Sequence, residues 1–292
     1  MAWRIGSLTV SVRSRMDGLV DGISALYQDY AIAPDDAFVD FHVRLRSPSL
    51  LRRWLRPLVI FDLDGHVPFT PLSSNQAFPV LEWGLNWATH AHLHQHLVLH
   101  AAVVERDGFA AVLPGASGSG KSTLCAALIN RGWRLFSDEL GLLAHDGARL
   151  SPMPRPISLK NESIGVMRRF APQAVIGPET RDTNKGTVAH VKPPADSVAR
   201  WAEPAAPAWL IFPGFEADAP PAVTPISKGQ SMLRLSGGAF NANVLGATGF
   251  AALTGFVDRC DCMELSYGDL DDAVAVFDSL TPPAAARPRM TA

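Results

Sequence analysis

The run Gly115-Ala116-Ser117-Gly118-Ser119-Gly120-Lys121-Ser122-Thr123 constrains this chain more than any other stretch. It fits the pattern Gly-x-x-x-x-Gly-Lys-[Ser/Thr], with the apolar Phe109-Ala110-Ala111-Val112-Leu113-Pro114 before it and a helix-like run over 124–132 after it. Glycines let the backbone take conformations that a Cβ forbids, so successive N–H groups can turn into one concave anion site. The helix behind the loop aims the positive end of its dipole at the same point. In such a loop Lys121 reaches the β- and γ-phosphates of a nucleotide and the Ser122 hydroxyl ligates Mg²⁺. Strand, glycine loop and helix in this order predict an α/β fold built around a triphosphate.

Composition narrows the partners. At 292 residues, 47% hydrophobic and 18% charged, the chain can bury a substantial core. A net charge of -2 supplies no global attraction to nucleic acid or to an anionic membrane. Residues 1–8 lack the apolar core of a signal peptide, and no apolar run approaches the length of a bilayer span. The expectation is a cytoplasmic protein without membrane insertion and without a nucleic-acid partner. Cys125, Cys260 and Cys262 cannot make a disulfide framework, and Cys260-Asp261-Cys262 lacks the Cys-x-x-Cys spacing.

Before the loop, alternation over 5–12 and 38–45 predicts strands, the latter with His42 and Arg44 on the polar side, and helical spacing predicts a helix over 17–30. Asp64-Gly65 between the apolar 58–61 and 67–69 predicts a hairpin. Asp62-Leu63-Asp64-Gly65 also matches the opening of haloacid-dehalogenase-type phosphatases, but a return strand without a crossover helix favours the hairpin. These elements predict a small α+β region over 1–95. Residues 79–93 read as a helix that runs into a histidine tract, His90, His92, His94, His96 and His100. A helix-to-strand junction would scatter those imidazoles, which argues against a metal site. His100 differs: a hairpin through Asp107-Gly108 sets it beside the end of the strand over 109–114, next to bound phosphates.

After the loop, a short apolar strand ends in Asp138-Glu139. Adjacent acids at a strand end point opposite ways, so one can accept hydrogen bonds from metal-bound water while the other takes a proton from an attacking hydroxyl. A third hairpin follows at Asp146-Gly147, then a helix over 162–170. The Pro-, Gly- and Thr-rich stretch 171–208 reads as a long substrate-facing flap. Its cations Arg181, Lys185, His190 and Lys192, with Arg155 and Lys160 ahead of it, are the candidate substrate contacts. A strand over 209–213, helices over 229–235 and 246–258, a strand over 263–267, a helix over 270–280 and a disordered tail over 282–292 complete the reading.

Leu99-His100-Ala101-Ala102, the loop Gly115 to Ser122, and Arg131-Gly132-Trp133-Arg134-Leu135-Phe136-Ser137-Asp138-Glu139 resemble the HPr kinase/phosphorylase superfamily, whose fold is PEP-carboxykinase-like. Glu82-Trp83-Gly84-Leu85-Asn86-Trp87, Arg155-Pro156-Ile157-Ser158-Leu159-Lys160-Asn161, Lys185-Gly186-Thr187-Val188-Ala189-His190 and Tyr267-Gly268-Asp269-Leu270 are similar to its branch called HprK-related kinase A. The resemblance implies a P-loop core with a mixed sheet over 96–281. It also implies phosphate contact by Lys121, Mg²⁺ held by Ser122 with Asp138 and Glu139, a general base at Asp138, and His100 near the reacting phosphate. The chain departs from the superfamily at Thr123, where HPr kinases carry an acid, and around 159–163, where they carry Glu-Ile-Arg-Gly. Both departures weigh against phosphorylase activity and against HPr as substrate. The resulting expectation is a Mg-ATP-dependent kinase acting on a hydroxyl, serine first, of a protein or peptide. An ATP-binding scaffold and a small-molecule kinase are the alternatives, and homo-oligomer formation is left open.

Overall fold

The structure, a computed structural model, describes residues 1–49, 51–116 and 118–286. Among them the N-terminal region forms a five-stranded sheet in the order β1-β2-β3-β4-β5. β1 (Ala2–Ile5) and β2 (Leu8–Ser14) are a hairpin where alternation predicts one strand, because Gly6 at φ +59 turns the chain. α1 (Asp17–Leu26) stops short of residue 30. β3 (Phe41–Arg46) alternates as expected, with Phe41, Val43 and Leu45 buried and His42, Arg44 and Arg46 exposed. After the short α2 (Leu51–Trp54), β4 (Leu58–Leu63) ends in the Asp64-Gly65 turn. Asp62 Oδ1 accepts the Gly65 N–H at 2.9 Å and Oδ2 pairs with Arg46 at 3.1 Å, so this aspartate anchors a turn.

The return strand expected over 67–69 does not form. Only Leu63 and His66 bridge, since Pro68 and Pro71 offer no N–H to a ladder, and Phe69 turns edge-on to Trp87 at 5.8 Å. The strand that does return is β5 (Leu72–Ser73), pairing at Leu58 and Val59. α3 (Ala77–His92) lies so close over β4 that a Cβ on Gly84 would come 2.1 Å from the Phe61 ring.

The larger sheet carries the order β10-β9-β6-β7-β14-β16-β15, with β8 also on β6. β6 (Leu97–Arg106) and β7 (Phe109–Pro114) are joined by Asp107-Gly108, both at positive φ, as a two-residue hairpin demands. α4 (Lys121–Ile129) follows, then β8 (Arg134–Ser137), β9 (Leu140–Leu143) and β10 (Leu150–Ser151). Glu105 on β6 and Arg134 on β8 form a buried ion pair at 2.5 Å. β6 explains the layering, because its residues alternate between two covered faces. Leu97, Leu99, Ala101 and Val103 join one buried cluster, whereas Val98 packs with the N-terminal region and Ala102 and Val104 pack with α4.

Residues 171–208 are folded rather than a flap. β11 (Ile157–Lys160), α5 (Glu162–Phe170), β12 (Thr180–Thr183) and β13 (Gly186–Val191) come first, and the strands form a three-stranded sheet, β11-β13-β12. Val188, Ala189, His190 and Val191 are all buried, with Ala189 and Val191 in the α4 cluster and His190 edge-on to Phe78 of α3 at 5.1 Å. Four apolar or neutral residues in a row are too few to stand out in a Pro- and Thr-rich stretch. They form a strand because α3 and α4 cover both of its faces.

The rest closes the sheet: α6 (Ala195–Ala199), β14 (Ala206–Phe215), β15 (Ala222–Pro225), α7 (Lys228–Ser236), α8 (Ala242–Leu245), α9 (Ala247–Arg259), β16 (Asp261–Tyr267) and α10 (Leu270–Asp278). The disorder expected from Pro282 is not seen at Ala284–Ala286, which make a 3-10 turn with Ala286 buried; the rest of that expected tail, 287–292, lies outside the described residues. No helix among the described residues is long and apolar enough to cross a membrane. All three cysteines are buried thiols without a disulfide, and Cys262 packs over the Cys260 carbonyl.

Candidate active site

Strand direction decides where the site sits. β14 runs parallel to β7 and to β16, and β7 and β8 are both antiparallel to β6, so β7, β8, β14 and β16 share a direction. Their carboxyl ends therefore line one rim, where an open α/β sheet leaves room for a ligand. The glycine loop leaves β7 on that rim. Gly118 and Gly120 stand at φ +92 and +87, and Gly120 caps α4. A Cβ on Gly120 would lie 2.6 Å from the Tyr267 hydroxyl at the end of β16, and on Gly115 2.6 Å from Ser119 Oγ. The Ser119 N–H donates to the Ala116 carbonyl at 3.2 Å; Ser117 lies outside the described residues.

Lys121, the first residue of α4, is 7% exposed, and with Ser122 and Thr123 it borders a cavity of about 770 Å³. A buried ammonium beside glycine-rich backbone at a helix start has the electrostatics that favour an anion. The two acids share one small pocket and differ in what else they reach. Glu139 faces the large cavity with His100. Asp138 is 5% exposed and borders a polar pocket of about 20 Å³ shared with Glu139, Glu82, Arg155 and His190. Asp138 Oδ2 accepts the Ser158 N–H at 3.2 Å, and its Oδ1 is buried without a hydrogen-bond partner.

These environments separate the carboxyls. Burial and then the negative charge of Glu139 push Asp138 up from 3.8 to about 6, against Lys121, the Ser122 hydroxyl and the Ser158 N–H. Burial also works to raise Glu139, but the neighbouring His100 ring and the Lys121 and Lys185 charges outweigh it and bring it down to about 2. His100 Nε2 stands 3.7 Å from Glu139 Oε2. Its ring stacks on Phe240 at 5.2 Å, and Phe240 stacks in turn on His90 at 5.0 Å. The other imidazoles scatter, with His92 against Trp87 and His96 hydrogen-bonded to Ser151.

The donor set at the rim suits Mg²⁺, which takes hard oxygens from one or two carboxylates and leaves the rest of its shell to phosphate and water. Asp138 Oδ1 is an unpartnered buried acceptor, and Ser122 and Glu139 add a hydroxyl and a carboxylate. Among the described residues no group of three His, Cys, Asp or Glu side chains is placed to hold a metal ion by itself.

The expected substrate cations disperse. Lys160 and Lys185 border the cavity, Lys185 also lying over the Trp83 ring at 5.2 Å. Arg181 is exposed on β12. Lys192 is drawn away into an ion pair with Asp29 at 2.7 Å. Arg155 is buried, 3.6 Å from Glu82 and hydrogen-bonded to Asn86, so it braces α3 instead of meeting a substrate. Glu82 also accepts the Tyr27 hydroxyl at 2.5 Å. Ser158, Asn161 and Tyr267 border the cavity without having been singled out as site residues, because each owes its place to a long-range strand pairing.

His190 is the clearest correction. Burial, then the Arg155 charge, lowers its pKa from 6.5 to about 3, so it is a neutral core residue and no substrate cation. Between those values the unfolded chain binds the extra proton. The stability is therefore intact above about pH 6.5 and falls by about 1.4 kcal/mol per unit as pH drops below it. Thermal midpoints between pH 7 and 4 check this: His190→Gln should make the acid limb shallower, and an unchanged limb would show that the imidazole accepts its proton in the folded state.

No protein-family model matches this chain, nor does any curated protein. Among solved structures, the chain is similar to the HPr(Ser) kinase/phosphatase from Coxiella burnetii, with 13% identity, a TM-score of 0.25, and 62% of this chain and 95% of that chain covered.

Proposed function

We propose that the protein is a Mg-ATP-dependent phosphotransferase that moves a γ-phosphate to a hydroxyl, serine first, of a protein or peptide. One observation carries this reading: Lys121, Ser122 and Thr123 at the end of the glycine loop border one cavity of about 770 Å³ with Glu139 and His100. Loop N–H groups and the Lys121 ammonium hold the phosphates in line. Asp138, raised to about 6, is ionised at neutral pH yet basic enough to take the acceptor's proton. His100 orients Glu139, and Lys160 and Lys185 offset charge on the phosphate in flight. Mg²⁺ held by Ser122 and the carboxylates would neutralise charge building on the phosphate oxygens.

A second assignment exchanges the acids. Glu139, not Asp138, borders the large cavity, which favours Glu139 as the proton acceptor and Asp138 as the metal-side acid. The test of the whole reading is incubation with γ-labelled ATP and a serine-containing peptide library. Label in peptide supports it. Saturable ATP binding without any labelled product means a nucleotide-binding scaffold, and label confined to small molecules means a small-molecule kinase.

A further inference from the structure

A large cleft on the N-terminal sheet, lined by arginines and serines as well as apolar side chains, lies outside the rim. It encloses about 940 Å³, within the range of sites that hold a ligand. Its described lining includes Arg13, Arg15, Arg44 and Arg46, several serines, and no aspartate or glutamate. Arg46 reaches Asp62 at 3.1 Å; among the described side chains no carboxylate comes within 4.0 Å of Arg13, Arg15 or Arg44.

The strand register makes this more than a solvated basic face. β2 and β3 are parallel neighbours, and Arg13 stands directly beside Arg44. Adjacent strands lie about 4.8 Å apart, and like charges side by side on one face destabilise a sheet. The sheet therefore holds two exposed guanidinium groups together against their repulsion, a conflict that an anionic ligand between them removes. Guanidinium forks bind carboxylates through paired charge-assisted hydrogen bonds, and the serine hydroxyls around them can hold peptide amides.

We infer that this cleft docks an acidic, extended segment of a polypeptide. Charge complementarity identifies the occupant. A long nucleic acid would extend past the four arginines onto a protein whose net charge is -2, and the described lining holds no aromatic ring for a base to stack on. Position links the cleft to the rim. Asn75 borders the cleft just before α3, and Trp83 and Asn86 on α3 border the pocket behind Asp138. The docking itself does not depend on phosphotransfer, so it is measured separately.

The test is fluorescence anisotropy on the full chain, with a labelled octaglutamate peptide, a Gly-Ser peptide of the same length and an RNA octamer. Octaglutamate should bind the wild-type chain, the Gly-Ser peptide should not, and Arg13→Ala/Arg44→Ala should weaken octaglutamate by about tenfold or more. Nucleotide affinity should stay as in the wild type, and the thermal midpoint should not fall, since the repulsion between the two guanidinium groups is relieved. Should the double variant fold poorly, Arg15→Ala, outside every strand ladder, should still weaken the peptide by about threefold or more. Equal octaglutamate affinity in the variants overturns the inference, as does tighter binding of RNA than of octaglutamate to the wild-type chain. Loss of phosphotransfer with docking intact counts against the kinase reading alone.

Discussion

Lys121→Ala should abolish phosphate transfer, with a loss of about 10³-fold or more in kcat/KM and a clear drop in nucleotide affinity. The size follows from burial. The ammonium sits 7% exposed at the start of α4, where little water competes with it for phosphate. It is also a positive charge felt by both Asp138 and Glu139. Without it the two acids repel each other with less compensation, Asp138 rises further, and the proton acceptor is lost together with the phosphate contact. Initial rates with labelled ATP and calorimetric titration of ATP measure the two losses separately. Wild-type transfer in the variant would sink the phosphate-loop assignment and everything that depends on it.

Asp138→Asn should behave differently, sparing ATP binding while lowering kcat by about 10²–10⁴-fold. Asparagine keeps the shape and the acceptor for the Ser158 N–H, but cannot take a proton. The sign of the pH dependence follows from the same group. A base works only when ionised, so kcat/KM in the wild-type protein should fall as pH drops through about 6. Glu139 stays ionised down to about 2. If Glu139 takes the proton, the rate holds steady well below pH 6, and Glu139→Gln becomes the variant with the larger kcat loss. A pH profile of the wild-type protein with the two variants therefore assigns the roles of the two acids.

Much of the rim was written locally. The loop over 115–123, the hairpin turns at Asp107-Gly108 and Asp146-Gly147, and the helices on either side were legible because each depends on residues within a few positions of itself. Glycines at positive φ and apolar periodicity carry their consequences with them. The adjacent acids were legible as a pair for the same reason.

What each acid faces was not. Asp138 is buried because β11 crosses behind it and the Ser158 N–H donates to it, whereas the half-buried Glu139 also reaches the large cavity, a placement set between residues far apart in sequence. The same holds for the cations. Six basic residues near one another in sequence looked equivalent, yet His190 became neutral core, Arg155 a brace for Glu82, and Lys192 a partner for Asp29. Only Lys160 and Lys185 reached the cavity. The sequence by itself determined the strand, loop and helix around the phosphate site and the chemical groups available there. Tertiary structure alone decided their burial, because desolvation and charge neighbours come from whatever distant strand or helix happens to cover each side chain.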